Sequence, residues 1–196
     1  MQSRTRSHHA ATRGFAPSLL AQRPFSKARL SSIGLLLACA ASSAIAADKT
    51  VAVSEEVDLV ASPARTWSVI EDFDRWQSWH PAFAGTSIVK GAANRKGEVR
   101  VLATKDGAKF TEELVSHDRA SRSYAYRIIE SPLPISDYVS KLAVQNGKRG
   151  SHVVWSSTFR VDEGASEAEV RKTISGVYRA GLDNLANVVP AQPSTY

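Results

Sequence analysis

Residues 166–187 read SEAEVRKTISGVYRAGLDNLAN and form the one long stretch of the chain with a clear helical signature. Ser166 and Glu169 have the spacing of a capping box, in which each side chain covers a backbone N–H at the start of a helix. Residues with apolar or small side chains then recur every three or four positions, which places them on one helix face; they are Val170, Ile174, Val177, Gly181 and Leu185. At about 1.5 Å per residue the helix spans about 33 Å, so we expect it to cross a whole domain.

The segment before this helix has the pattern of seven strands. Apolar and polar residues alternate in residues 50–60, as they do in a half-buried strand. Further strand-like segments follow, separated by short turns; they cover residues 86–90, 98–104, 108–117, 123–130, 137–145 and 151–161. Short connections of this kind favour an antiparallel meander over βαβ units. The predicted fold class is therefore α+β, with a curved seven-stranded antiparallel sheet wrapped on the long C-terminal helix.

Two short helices are predicted between the first and second strands. Ser62 and Pro63 are suited to the N-cap and the first turn of one of them. The second is expected in residues 73–81, FDRWQSWHP, a segment that is dense in aromatic residues and ends at a proline.

The predicted inner faces of the later strands combine apolar side chains with hydroxyls and one carboxylate. A solid core is usually more uniformly aliphatic, whereas a ligand pocket is apolar with a few placed polar groups. These faces carry Phe110, Glu112, Leu114, Tyr124, Tyr126, Ile128, Tyr138, Ser140, Leu142, Val144, Val153, Trp155, Ser157 and Phe159. Gly176 and Gly181 each cost the long helix about 1 kcal/mol relative to alanine, which indicates that space is needed beside it. His117 and His152 are expected to face solvent.

The charge of the chain is concentrated at its start. Residues 1–47 contain six of the 25 basic residues and no acid, so the remainder holds 19 basic and 19 acidic residues. Nucleic-acid binding requires a concentrated basic surface, and the balanced charge of residues 48–196 therefore predicts no nucleic-acid partner.

Residues 1–46 are predicted to be a cleavable export leader. The apolar run 33–46 is too short to span a bilayer but follows positive charge and ends in the cleavage signal Ala44-Ile45-Ala46. We expect a periplasmic or secreted mature chain without an integral membrane span, comprising a domain of residues 47–190 and a disordered tail of residues 191–196. A lipoprotein anchored through Cys39, the only cysteine, and a mitochondrial transit peptide are the alternatives; twin-arginine export is disfavoured because no two arginines are adjacent.

The order of these elements resembles a known superfamily over residues 50–187. The segments FTEELVSHD, SYAYRIIESPLPISDYVS and HVVWSSTF, followed by the closing helix, are similar to the polyketide cyclase/dehydrase-like branch of the SRPBCC (START/Bet v 1-like) superfamily. The resemblance implies a helix-grip fold with a cavity between the sheet and the long helix, and a small hydrophobic or amphipathic ligand.

The layout also resembles the plant abscisic acid receptors of the same superfamily. Their ligand-binding lysine matches His80, and their inward glutamate matches Glu112. Their cavity phenylalanine matches Tyr126, and a cavity tyrosine and serine match Tyr138 and Ser140. Val177, Tyr178 and Gly181 are expected to face the middle of the pocket, with Gly181 supplying space where those receptors have an asparagine.

The two mobile loops of the plant receptors are not retained. Residues 104–108, TKDGA, replace the gate, and residues 131–134, SPLP, replace the latch. We therefore expect neither hormone-type gating nor a phosphatase partner. Leu133 is expected at the rim of the cavity, where the Pro-Leu-Pro sequence would alternatively serve a protein-interaction module with an unknown partner.

Twelve residues are predicted to bind the ligand: His80, Phe110, Glu112, Tyr126, Ile128, Leu133, Tyr138, Ser140, Trp155, Ser157, Val177 and Gly181. The alternative is a cyclase, dehydratase or hydrolase in which Glu112 and His80 form an acid/base pair; Glu112 would otherwise be held by an ion pair with Arg100 or Arg127. The sequence contains no Gly-rich phosphate loop, no HExxH motif and no cysteine pair. We predict a binding protein without a cofactor or metal.

Overall fold

The computed structural model describes residues 50–189. The predicted leader, with Cys39, and the predicted tail lie outside the described residues. Seven strands are present: β1 (Val51–Leu59), β2 (Phe83–Lys90), β3 (Val99–Thr104), β4 (Lys109–Asp118), β5 (Ser123–Glu130), β6 (Ile135–Gly147) and β7 (Gly150–Val161). The helices are α1 (Pro63–Ile70) and α2 (Glu167–Val188). Neither helix has the length and apolar character needed to cross a membrane.

The strands form one sheet in the order β1-β7-β6-β5-β4-β3-β2, and all neighbouring pairs are antiparallel. β1 lies next to β7, and each of the strands β2 to β6 lies next to the strand that follows it in the sequence. α2 packs against β1 and β7, so the sheet curves around the helix. The predicted α+β class and the long C-terminal helix are confirmed.

The helix α2 begins as its sequence predicts. The Ser166 hydroxyl accepts a hydrogen bond from the Glu169 backbone N–H at 3.4 Å. The buried face of the helix is wider than the predicted stripe, because Tyr178 and Leu182 are buried in it while Val177 is only half-buried. An apolar face that packs on a curved sheet covers at least about 100° of the helix circumference, and a single line of residues underestimates it.

Only the first of the two predicted short helices is an α-helix. Ser62 caps α1 by accepting from the Arg65 backbone N–H. The second is reduced to a 3-10 helix at Trp76–Ser78. The Phe73 backbone N–H donates to the Asn94 side chain, and the Phe73 carbonyl accepts from Arg100. The Phe73 carbonyl, which a helix beginning there would use as an acceptor, is thus already bound by a side chain.

The expectation that His117 faces solvent is wrong, and a β-bulge is the reason. The β4–β5 register shifts between Leu114 and Ser116, and one additional residue reverses the side of the sheet on which later side chains lie. His117 therefore stacks on Tyr124 with the two rings 1° from parallel, and its Nε2 donates to the Glu71 carbonyl at 2.8 Å. His152 does lie on the outer face, 2.9 Å from the Asp58 carboxylate.

Candidate functional site

An apolar cavity of about 80 Å³ lies between α2 and the inner face of the sheet. Nearly all of its wall is aliphatic or aromatic, and its polar groups are one carboxyl, one threonine and three phenols. Its lining residues are Trp76, Ala82, Phe83, Leu102, Thr104, Phe110, Glu112, Tyr126, Ile128, Leu133, Tyr138, Trp155, Ile174, Val177 and Tyr178.

Eight of the twelve predicted site residues line this cavity: Phe110, Glu112, Tyr126, Ile128, Leu133, Tyr138, Trp155 and Val177. The other four, His80, Ser140, Ser157 and Gly181, are buried next to it without lining it. Ser140 and Ser157 face each other in the β6–β7 register, and Ser140 donates to the Ser156 carbonyl at 2.9 Å. These serines therefore support the wall.

The single carboxyl of the cavity wall is held by a buried arginine. Arg100 is opposite Glu112 in the β3–β4 register, and its Nε and Nη2 lie 2.8 and 2.6 Å from Glu112 Oε2. The guanidinium also lies over the rings of Phe73 and Trp76, with its central carbon 3.7 and 3.9 Å from their centroids. Burial raises the pKa of Glu112 and Arg100 opposes that rise. The positive charge of Arg100 thus balances the negative charge of Glu112, and the ion pair adds a polar group to the cavity wall without adding net charge.

A second buried acid, Glu98, lies at the start of β3 outside the cavity wall. Its Oε2 accepts from the Asn94 backbone N–H at 2.5 Å, and burial raises its pKa. No sequence pattern distinguishes Glu98 from a surface residue, because a glutamate next to a turn is usually exposed.

Buried hydroxyls gather where β5 and β6 face Tyr178 of α2. Tyr178 stacks on Trp155, with centroids 4.3 Å apart, and its hydroxyl forms a short hydrogen bond with that of Tyr138. The Trp155 indole N–H lies 3.2 Å from the Tyr126 hydroxyl and 3.0 Å from that of Ser140. Burial raises the pKa of all three tyrosines, which keeps them protonated.

His80 connects the 3-10 segment to the middle of α2. Its Nδ1 accepts from the Ala82 backbone N–H at 3.2 Å, so Nε2 carries the proton and donates to the Val177 carbonyl at 2.9 Å. Burial lowers the pKa of His80 to about 4. His80 is therefore neutral, and both of its ring nitrogens form hydrogen bonds with the backbone.

Gly181 does not enlarge the cavity as expected, because His80 fills the space beside it. A Cβ at this position would lie 2.4 Å from His80 Cδ2 and 3.0 Å from a ring carbon of Trp79. The helix needs glycine here so that the imidazole can approach its backbone.

The remaining seven lining residues were not among the predicted site residues: Trp76, Ala82, Phe83, Leu102, Thr104, Ile174 and Tyr178. Ile174 was on the predicted helix stripe, and Trp76 lay in the aromatic segment before β2, so a signal for both was present. For Tyr178 the signal was its place one residue beyond Val177 on the same wide helix face. Among residues 50–189, no group of three or more potential ligand side chains could hold a metal ion.

The family of the chain follows from a comparison with family models. Residues 50–190 match the model described as polyketide cyclase / dehydrase and lipid transport. The chain belongs to this family. The resemblance to the SRPBCC superfamily is thereby confirmed.

Solved structures agree with this membership of the polyketide cyclase / dehydrase and lipid transport family. XoxI from Bacillus cereus is 30% identical with a TM-score of 0.63, over 71% of this chain and 94% of that one. An uncharacterized protein from Bacillus thuringiensis is 29% identical with a TM-score of 0.63, over 72% and 98%. Ara h 8.0201, 19% identical with a TM-score of 0.62 over 72% and 98%, shows the fold alone.

The two loops that differ from the plant receptors are short and internally bonded in this family member. In the first, the Thr104 backbone N–H donates to the Ala108 carbonyl at 2.9 Å, and that of Lys105 to the Ala82 carbonyl at 2.9 Å. In the second, the Leu133 backbone N–H donates to the Ser131 hydroxyl at 3.1 Å, and the Leu133 side chain lines the cavity. Leu133 is thus a half-buried part of the cavity wall.

The fit between Gly181 and His80 predicts opposite effects of alanine at the two glycines of α2. Gly181→Ala is expected to lower the free energy of unfolding by roughly 1–3 kcal/mol, because the methyl group overpacks a buried ring. Gly176→Ala is the matched control: no atom lies within 4 Å of its added Cβ, and we expect it to stabilise by up to about 1 kcal/mol. Urea unfolding measures both, and equal effects would contradict the packing described here.

Proposed function

We propose that this protein is an exported binding protein for a small hydrophobic or amphipathic molecule, held in the cavity between the sheet and α2. The observation that carries the proposal is the cavity itself, whose wall is apolar except for a compensated ion pair, a threonine and protonated phenols. Ligand pockets have this composition. The family description, which includes lipid transport, supports an apolar ligand.

The volume of the cavity limits the ligand. Pockets for drug-sized molecules usually measure about 300–1,000 Å³, several times the about 80 Å³ found here. The half-buried lining residues Phe110, Ile128, Leu133 and Val177 mark the side on which the cavity can widen. The ligand is therefore small, or its apolar end extends outward past these side chains.

The acid/base alternative is not favoured by the contacts of its two groups. His80 has both ring nitrogens in hydrogen bonds to backbone groups and does not line the cavity. Glu112 is bound to Arg100, and the Trp76 ring contacts both His80 and Arg100. Neither group is placed to move a proton on a substrate.

A cavity-filling variant tests the binding proposal. Val177→Trp, at a half-buried position of the cavity wall, is expected to weaken ligand binding at least about tenfold because it occupies the ligand volume. Val139→Trp on the exposed face of β6 is the control and is expected to bind normally. Thermal shift measures both, since ligand at 100 times its Kd stabilises the folded state by about 2.7 kcal/mol.

Native mass spectrometry of protein purified from its own host provides the ligand and also tests export. A co-purifying mass that is lost in Val177→Trp and retained in Val139→Trp supports binding. The absence of any such mass, together with no thermal shift from lipid or polyketide-like compounds, would count against it. The protein mass reports the mature start, for which we expect Ala47; a lipidated Cys39 or an intact leader would overturn this start.

A further inference from the structure

The directions of the hydrogen bonds in the hydroxyl cluster follow from one carbonyl group. Ser140 Oγ lies 2.9 Å from the Ser156 carbonyl, which can only accept, so Ser140 gives its single proton to it. The Tyr178 hydroxyl lies 3.3 Å from Ser140 Oγ and must therefore be the donor in that pair.

The same reasoning continues along the three tyrosines. Either hydroxyl can donate in the short contact between Tyr138 and Tyr178, and neither direction gives the Tyr126 proton a closer acceptor. Tyr126 is the last hydroxyl in this series of hydrogen bonds. Its oxygen accepts from the Trp155 indole, and its own proton has the Tyr138 oxygen at 3.5 Å, the outer limit of a hydrogen bond. The Tyr126 proton thus has no acceptor closer than 3.5 Å; the hydroxyl of Ser157 is also buried without a hydrogen-bond partner among the described residues, but Ser157 does not line the cavity.

This donor is at the buried end of the cavity. Tyr126 and Trp155 are 1% and 0% exposed, whereas the lining residues Leu133 and Val177 are half-buried. A molecule that enters past Leu133 and Val177 therefore meets half-buried apolar side chains first and Tyr126 last.

The charges around the cavity disfavour an anionic ligand. The guanidinium of Arg100 is occupied by Glu112, by the Phe73 carbonyl and by the Phe73 and Trp76 rings. His80 is neutral and bonded to the backbone. An anion would lose its hydration in this cavity without gaining a free cation, which is costly.

We propose that the ligand is an uncharged, mainly apolar molecule with one acceptor oxygen, such as a ketone or an ester, whose oxygen accepts a hydrogen bond from Tyr126. This inference rests on the proposed binding function and specifies its ligand class. Binding exchanges the long Tyr126–Tyr138 contact for a better hydrogen bond and leaves the rest of the chain of hydroxyls in place.

Three probes of similar shape separate the possibilities with the unmodified protein. Acetophenone offers a neutral acceptor, ethylbenzene has the same outline without the oxygen, and benzoate carries a charge. Titration followed by the NMR signal of the Trp155 indole N–H, which is bonded to Tyr126, reports on the buried end of the cavity. We expect acetophenone to bind roughly three- to tenfold more tightly than ethylbenzene, the value of one hydrogen bond, and benzoate to bind most weakly.

A variant assigns the difference to one hydroxyl. Tyr126→Phe is expected to remove the preference for acetophenone over ethylbenzene. Tyr124→Phe is the control, because Tyr124 is also fully buried but does not line the cavity. It is expected to keep the preference.

The outcomes distinguish this inference from the function on which it rests. Equal binding of acetophenone and ethylbenzene, or tighter binding of benzoate, would overturn the ligand class while leaving an apolar binding site. Retention of the preference in Tyr126→Phe would overturn the assignment to Tyr126. If none of the three probes binds and no larger apolar compound does, the binding function fails and the inference fails with it.

Discussion

Replacing Arg100 with methionine is expected to cost roughly 3–5 kcal/mol of unfolding free energy at neutral pH, the usual cost of leaving a buried charge without its partner. The side chain of Arg100 is fully buried and bound to Glu112 Oε2. The variant retains the apolar volume of the arginine stem but leaves a carboxylate in an apolar cavity. The expected loss is a large fraction of the 5–15 kcal/mol that stabilises a typical domain.

The pH dependence of this variant identifies the carboxylate as the cause. Without Arg100 nothing opposes the effect of burial on Glu112, so its folded-state pKa lies further above that of the unfolded chain. A raised carboxyl pKa stabilises the folded state at low pH and loses that contribution as the pH rises through the folded-state pKa. The deficit of Arg100→Met relative to the natural protein is therefore expected to shrink as the pH is lowered.

Two further variants complete the experiment. Arg100→Met combined with Glu112→Gln is expected to recover most of the lost stability, because the unpaired charge is gone. Arg127→Met is the matched control: Arg127 pairs with Glu113 at 2.5 Å, but its side chain is 56% exposed, and we expect a loss below about 1 kcal/mol. Urea unfolding measures all four proteins; equal losses at Arg100 and Arg127 would contradict the burial of the pair.

The second large effect is expected from His80 under acidic conditions. The folded protein binds the His80 proton only below a pKa of about 4, whereas an unfolded chain binds it below about 6.5. Between these values the unfolded state carries more protons, so the free energy of unfolding falls as the pH is lowered from 6.5 to 4. The shift corresponds to about 3 kcal/mol.

His80→Gln removes this titration while retaining an amide that can donate to Val177. We expect the variant to lose about 3 kcal/mol less than the natural protein between pH 7 and pH 4. Buried Glu98 and Glu112 have raised pKa values and act in the opposite direction, so the difference between the two proteins is the quantity to measure. His152→Gln, on the outer face of β7, is the control, and a pH dependence that His80→Gln does not change would contradict the prediction.

The fold could be predicted from the sequence because the patterns that indicate its strands and its long helix are local and repeated. Alternation along β4 to β7 placed Tyr126, Tyr138 and Trp155 on the inner face, and the cap at Ser166 fixed the start of α2. These patterns depend on neighbouring residues, which a sequence displays directly. The prediction for His117 was wrong because a single bulge in β4 reversed the alternation of inward and outward side chains. The residue types at Val115 and Ser116 do not indicate this bulge.

The site could be predicted only in part from the sequence, because its hydrogen bonds and ion pairs join residues that are far apart along the chain. Glu112 was recognised as a buried acid with Arg100 among its possible partners, but the choice between Arg100 and Arg127 required the strand register. His80 was assigned to the cavity because it matches the ligand-binding lysine of the plant receptors, and nothing near it in sequence reveals its bond to Val177. Tyr126 lined the cavity as expected, whereas its role as the last donor depends on four other side chains.

The close contact of His80 with Gly181 also has an evolutionary consequence. Because the imidazole occupies the volume that a side chain at position 181 would need, these two distant positions constrain each other's substitution. A relative with a larger residue at 181 requires at position 80 a side chain that can turn away. A variant or chimaera that enlarges residue 181 while keeping His80 therefore introduces a steric conflict between α2 and the segment before β2.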